Sequence, residues 1–228
     1  MRSRSSQAVT NSANAEAFRR LFVERTHRLL QIGYSRMHPA DHATTIEPVI
    51  SGEIRRHIRE FLDEGSVEKW MRFFTPLNED PVDETPTNRS AVKRRTDDDR
   101  RLLDLHLECS ERCPRIRFAF EAKRLNRSGA VGIYLGDAGL GRFIAGHYAR
   151  NDFAAGMLGY VQVGKSDQWA NAINKNLTRT PRKYSVSSTH VWKRAFLKHG
   201  PEHTYFSHHK RPGLNRNITI YHTLLHFY

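Results

Sequence analysis

Residues 102–123 read LLDLHLECSERCPRIRFAFEAK, and the parity of this stretch decides how the chain is organised. Leu103, Leu105 and Leu107 alternate with Asp104, His106 and Glu108. After Glu111-Arg112-Cys113-Pro114, Phe118, Phe120 and Ala122 alternate with Arg117, Ala119, Glu121 and Lys123. Period-two alternation is the pattern of a strand with one apolar face, so the two runs predict a β-hairpin. In one register Leu107 faces Phe118, Leu105 faces Phe120 and Leu103 faces Ala122. The same register sets Asp104 against Glu121 and Glu108 against Arg117 on the other face. A one-residue slip would bury the charges and expose the leucines, so the register is well determined. Directly opposed side chains lie roughly 5 Å apart, and two carboxylates at that distance repel unless a cation lies between them. Without a cation, the hairpin is an amphipathic pair whose polar face meets water.

Composition bounds the partner. Thirty-seven Lys and Arg against 24 Asp and Glu leave a formal charge of +13. That imbalance favours a polyanion, most simply nucleic acid, over an acidic protein partner. No run of 18 apolar residues predicts a transmembrane helix, and no signal-peptide apolar region follows the N-terminus. The expected location is the cytoplasm, with no membrane partner. Cys109 and Cys113 flank the hairpin turn; two cysteines make no disulfide framework and read as free thiols.

At Asp104 and Glu121-Ala122-Lys123 the chain resembles the PD-(D/E)xK nuclease superfamily, in a bacterial, defence-type form. The pattern there is an acidic residue near the start of one core strand and Glu-x-Lys on the next. Arg100-Arg101-Leu102-Leu103 before Asp104, and Arg124-Leu125 after the lysine, add to the likeness; no proline precedes Asp104. The likeness spans roughly residues 40 to 165. It implies an α/β fold, with a restriction-endonuclease-like core of a mixed sheet flanked by helices. It also implies an endonuclease dependent on Mg²⁺ or Mn²⁺, most simply acting on DNA. Asp104, Glu121 and the Ala122 carbonyl would hold the metal, and Lys123 would orient the attacking water. The biological expectation is an effector of anti-phage or anti-plasmid defence, working with other subunits of a complex. The alternative is the same scaffold as a weakly active or inactive nucleic-acid-binding or assembly subunit.

The superfamily also tends to carry a glutamate on the helix before the hairpin. Residues 46–62 have helical period, with Ile46, Ile50, Ile54, Ile58, Phe61 and Leu62 on one stripe. Glu47 falls near the middle of that stripe, whereas Glu53 lies about 120° away and is held in reserve. A core-facing glutamate needs a partner. The competing reading is a capping box of Thr44 and Glu47.

The remaining expectations concern organisation. Residues 1–12 read as disordered and 13–228 as one domain. Within it, 13–74 are N-terminal helices, 75–101 a loop, 102–177 the catalytic core and 178–228 a β-rich extension. In the loop, Lys93-Arg94-Arg95 would grip nucleic acid together with Arg124, Arg127 and Lys165, while Asp97-Asp98-Asp99 read as solvated. Residues 129–134 read as a flexible connection, 140–149 as a helix, 157–163 as a strand and 166–177 as a helix. Gly159 to Ser166, GYVQVGKS, matches the phosphate-loop spacing of an NTPase. Its Tyr-Val-Gln-Val middle prefers a strand, and no following strand ends in an aspartate for magnesium. His203, His208, His209, His222 and His226 read as structural or nucleic-acid contacts before metal ligands.

Overall fold

The computed structural model describes residues 3–77, 104–111, 115–187 and 192–228. Seven strands form one mixed sheet: β1 (Phe74–Leu77), β2 (Leu105–Cys109), β3 (Ile116–Leu125), β4 (Ala154–Val161), β5 (Lys193–Arg194), β6 (Thr204–Arg211) and β7 (Arg216–His226). Their order across the sheet is β1-β2-β3-β4-β7-β6-β5. The hairpin has the register that parity dictates: Leu107 pairs with Phe118, Leu105 with Phe120 and Glu108 with Arg117. The two ladders of β4, to β3 and to β7, are parallel, and the other pairings are antiparallel. Residues 204–226 are therefore continuous with the core sheet. Strand β7 pairs directly with β4.

Both faces of the sheet are covered. Helices α1 (Ser3–Ser35) and α2 (Glu47–Asp63) pack Leu29, Leu30, Ile50, Ile54 and Ile58 onto Leu105, Leu107, Phe118, Phe120 and Ala122. Helices α3 (Ala130–Leu135), α4 (Leu140–Ile144) and α5 (Ser166–Arg179) bring Tyr134, Phe143, Ile173 and Leu177 against Ala119, Met157, Val161 and Ile220. Parallel strands need crossover connections, whose helices bury both sheet faces. That is why the polar face of the hairpin is not turned to water: His106, Glu108 and Glu121 are all buried.

Several local expectations are corrected. Helix α1 begins at Ser3 and so takes in residues 3–12; the segment holds no proline or glycine to stop a helix. The helix also runs through Gly33, where a Cβ would meet the Ile54 carbonyl at 2.6 Å. Here glycine allows the close α1–α2 approach. Strand β1 lies in the segment read as loop; its Pro76 is tolerated because the strand is at the sheet edge. The connection at 129–134 contains α3, and the helix over 140–149 stops at Ile144. The rest of the 75–101 segment lies outside the described residues. No helix among the described residues is long and apolar enough to cross a membrane.

Candidate active site

The site forms where β2 begins and β3 runs towards its C-terminal end. Asp104 immediately precedes β2, and its Oδ2 accepts a hydrogen bond from the Ala122 N–H at 2.7 Å. The side chain thus reaches the backbone of the strand that carries the other site residues. Glu121 and Lys123 follow with the same parity on β3, and Lys123 Nζ donates to Glu121 Oε1 at 2.6 Å. Glu121 is 3% exposed, and its Oε2 has no hydrogen-bond partner among the described residues. Burial, and then the Asp104 carboxylate, push the Glu121 carboxyl up to about 7, against the opposing pull of Lys123 and Arg142. An ionised Glu121 therefore lacks compensation for the water it has lost.

Glu47 arrives from the opposite layer. It is the first residue of α2, whose N-cap Ile46 makes no side-chain cap, so the Thr44 capping box is absent. Its Oε1 accepts from the Arg124 backbone N–H at 3.0 Å, and its Oε2 lies 3.4 Å from Arg124 Nε. The glutamate is thus delivered to β3 beside Lys123, as its place on the apolar stripe predicts. Glu53 is not: its carboxylate pairs with His42 Nε2 at 3.0 Å, about a third of a helical turn away by sequence spacing.

Gln162, whose direction the sequence left open, holds this corner together. Its Nε2 donates to the His42 and Thr45 carbonyls, both at 2.8 Å. Its backbone N–H continues the β3–β4 ladder to the Leu125 carbonyl at 3.2 Å. The loop entering α2, and with it Glu47, is fastened to the end of β4. Arg142 and Tyr148 are further site residues that the sequence did not single out. Arg142 donates to the Tyr148 hydroxyl, and Tyr148 is pushed up to about 12 by burial and by the nearby Glu121 carboxylate. Six residues apart, the two share no face of a regular helix. They meet because the chain turns at Gly146, φ 75°, so no periodic signal marks the pair.

The expected nucleic-acid contacts divide. Arg124 is engaged with Glu47, whereas Arg127 and Lys165 are exposed. Lys93-Arg94-Arg95 and Asp97-Asp98-Asp99 lie outside the described residues. The phosphate-loop match has no loop: residues 159–161 belong to β4, and α5 begins at Ser166, so little backbone remains to wrap phosphates. Of the C-terminal histidines, His209 and His222 serve packing. Ser207 Oγ lies 2.6 Å from His209 Nε2 and 2.7 Å from His222 Nε2, all three buried within β6 and β7. Cys109 is a buried free thiol.

Among the described residues no group of three or more His, Cys, Asp and Glu side chains is placed to hold a metal ion. The donors present are those of a two-carboxylate site. Magnesium retains several waters and commonly takes only one or two protein carboxylates, so Asp104 and Glu121 suffice as a protein contribution. The orphaned Glu121 Oε2 and the raised carboxyl fit the same reading, since a cation would take the place of the proton that Glu121 otherwise needs. Comparison with protein-family models, with curated proteins and with solved structures gives no match to this chain.

Proposed function

We propose that this chain is a divalent-metal-dependent endonuclease with a restriction-endonuclease-like core, acting on DNA. The observation that carries the proposal is the buried Glu121 carboxylate, which has one oxygen on Lys123 and the other without a partner beside Asp104. The order α2, β1, β2, β3, α3 and α4, β4 supports the fold assignment. It sets an acidic residue at the start of one strand, Glu-x-Lys on the next and a glutamate on the preceding helix.

Asp104, Glu121 and the Ala122 carbonyl would hold Mg²⁺ or Mn²⁺. When bound, such an ion supplies Lewis acidity and lowers the pKa of a coordinated water. The protein's own contribution is placement. Asp104 is fixed to β3 through the Ala122 N–H, so the two carboxylates keep their spacing as the strands breathe. Lys123 is held at the carboxylate edge by Glu121, where its ammonium would hold the nucleophilic water and face a phosphate. Glu47 binds the Arg124 backbone and so fixes the strand immediately after the lysine. The formal charge of +13 suits a polyanionic substrate. The defence role, with other subunits of a complex, rests on resemblance alone.

The test is cleavage of plasmid DNA by the purified chain with Mg²⁺ or Mn²⁺, alongside Asp104→Ala and Lys123→Ala. The wild type is expected to nick or linearise the plasmid, and the variants to lose that activity together with its metal dependence. Wild-type cutting no faster than either variant removes the enzyme reading. Retained DNA binding would then leave a binding or assembly subunit.

A further inference from the structure

We propose that Arg142 binds the substrate phosphate in this site and that Tyr148 positions it. The inference rests on the nuclease reading above and adds to it the group that grips the substrate. Glu121 pairs across β3 and β4 with Met157. Met157 is buried in the same cluster as Phe143 and Tyr148. Helix α4 therefore lies over the sheet face that carries the carboxylate. The chain then doubles back: the His147 and Tyr148 N–H groups both donate to the Arg142 carbonyl, at 2.9 and 3.2 Å. This return places the Tyr148 ring under the guanidinium, whose carbon lies 5.2 Å from the ring centroid, while Nη1 donates to the hydroxyl. The ring itself is buried edge-on against Phe143, with centroids 5.6 Å apart.

A guanidinium held at the hydroxyl end of a fixed ring and tethered there at one nitrogen has lost much of its freedom before any ligand arrives. It has five N–H donors, and Tyr148 takes one. Among the described residues the guanidinium makes no other hydrogen bond and pairs with no carboxylate within 4 Å. Lys123 differs in shape: its ammonium has three donors, one on Glu121 and the others left for the nucleophilic water. Arg142 is the cation at this site that offers an open planar fork. A planar fork matches two non-bridging phosphate oxygens. The competing role is plain charge balance for Glu121, which requires no contact with substrate.

Two assays separate these roles: anisotropy of a labelled DNA duplex with Ca²⁺ in place of Mg²⁺, and single-turnover cleavage with Mg²⁺. Arg142→Ala should weaken binding and slow cleavage about 100-fold, the scale of one lost transition-state donor. Arg142→Lys should recover only part, because an ammonium keeps the charge without the fork. Tyr148→Phe keeps the ring and should weaken binding more than it slows single-turnover cleavage at saturating protein. A methylphosphonate at the mapped cut should weaken wild-type binding and leave Arg142→Ala binding unchanged, an outcome that charge balance does not produce. Should Arg142→Ala fail to fold, Arg142→Gln and Tyr148→Phe carry the same readouts. A variant at Arg142 that melts like the wild type, and binds and cuts within about threefold of it, overturns the inference and leaves the nuclease reading standing. Binding that depends on Arg142 without any cleavage overturns the nuclease reading instead. A wild type that neither binds nor cuts removes both.

Discussion

The two ends of the β2–β3 hairpin carry glutamates on the same face with opposite electrostatics. At the turn end, Glu108 is buried but accepts from Arg115 at 2.8 Å and from Arg117 at 3.1 Å. Burial alone would raise its carboxyl, yet the two arginines outweigh that and hold it below the ordinary range. At the open end, Glu121 has one lysine and a second carboxylate, and its carboxyl rises to about 7. The hairpin and its face are shared, so the difference lies in depth and in the partners. Glu108 is a charge the fold has compensated. Glu121 is a charge the fold leaves for something else to compensate, as expected where a site is built at the expense of stability.

Glutamine substitutions at the two positions should break this symmetry most visibly in activity. Glu121→Gln removes an oxygen of the proposed metal site and should lower cleavage by about 100-fold or more. Glu108→Gln, at the far end of the hairpin, should cut at nearly the wild-type rate. Equal loss in both would mean that cleavage tracks hairpin stability and not the site.

The next effect is on stability, and its sign is unusual. The folded carboxyl of Glu121 titrates near 7 against an ordinary 4.5. Between those values the native state binds more protons than the unfolded chain, so stability falls as pH rises through that window. In metal-free protein above pH 7 the ionised group costs on the order of 3 kcal/mol. Glu121→Gln should therefore raise Tm at pH 8 and have little effect at pH 4.5. Mg²⁺ should raise the wild-type Tm at pH 8 and leave the variant nearly unmoved. Thermal melts with and without the ion read both. A destabilised Glu121→Gln at pH 8 would mean that Lys123 already compensates the charge.

Glu108→Gln gives the smallest change and the opposite sign. A carboxyl held low contributes stability above its unfolded pKa and loses it as pH falls through the folded value. Its arginine partners are half or more exposed, with side chains at 69% and 50%. Screening therefore limits the loss to about 1 kcal/mol at neutral pH. Urea titration at pH 7 should show a lower midpoint with an unchanged slope.

The hairpin and its carboxylates were legible because alternation specifies both the pairing and the face. Leu105, Leu107, Phe118 and Phe120 allow one register, and that register carries Asp104 to Glu121. Glu47 was legible for a similar reason, since a charge in the middle of an apolar stripe must have somewhere to go. What alternation does not contain is the layer above. The sequence reads the Asp104–Glu121 face as polar, and the short helices α3 and α4 then bury it. These helices are six and five residues long, too short to print a helical period. Arg142, Tyr148 and Gln162 act through a turn, a ring hydroxyl and two loop carbonyls, none of which leaves a spacing to read. The phosphate-loop match failed for the converse reason: its spacing is right, but its residues favour a strand, and strand geometry prevailed.

Strand β4 gives the sheet a timetable. It divides the sheet into two antiparallel halves, β1-β2-β3 and β7-β6-β5, and it is joined to each by a parallel ladder. Short-range hairpins close first, because they sacrifice the least chain entropy, and parallel pairings across long connections come later. Asp104, Glu121 and Lys123 all belong to the first half and take their places with the β2–β3 hairpin. Glu47 depends on Gln162, which arrives only with the end of β4, across 117 and 120 residues of chain. Loop-closure entropy thus favours pairing of the opposed carboxylates ahead of the corner that steadies them, and the completed corner waits for the middle strand.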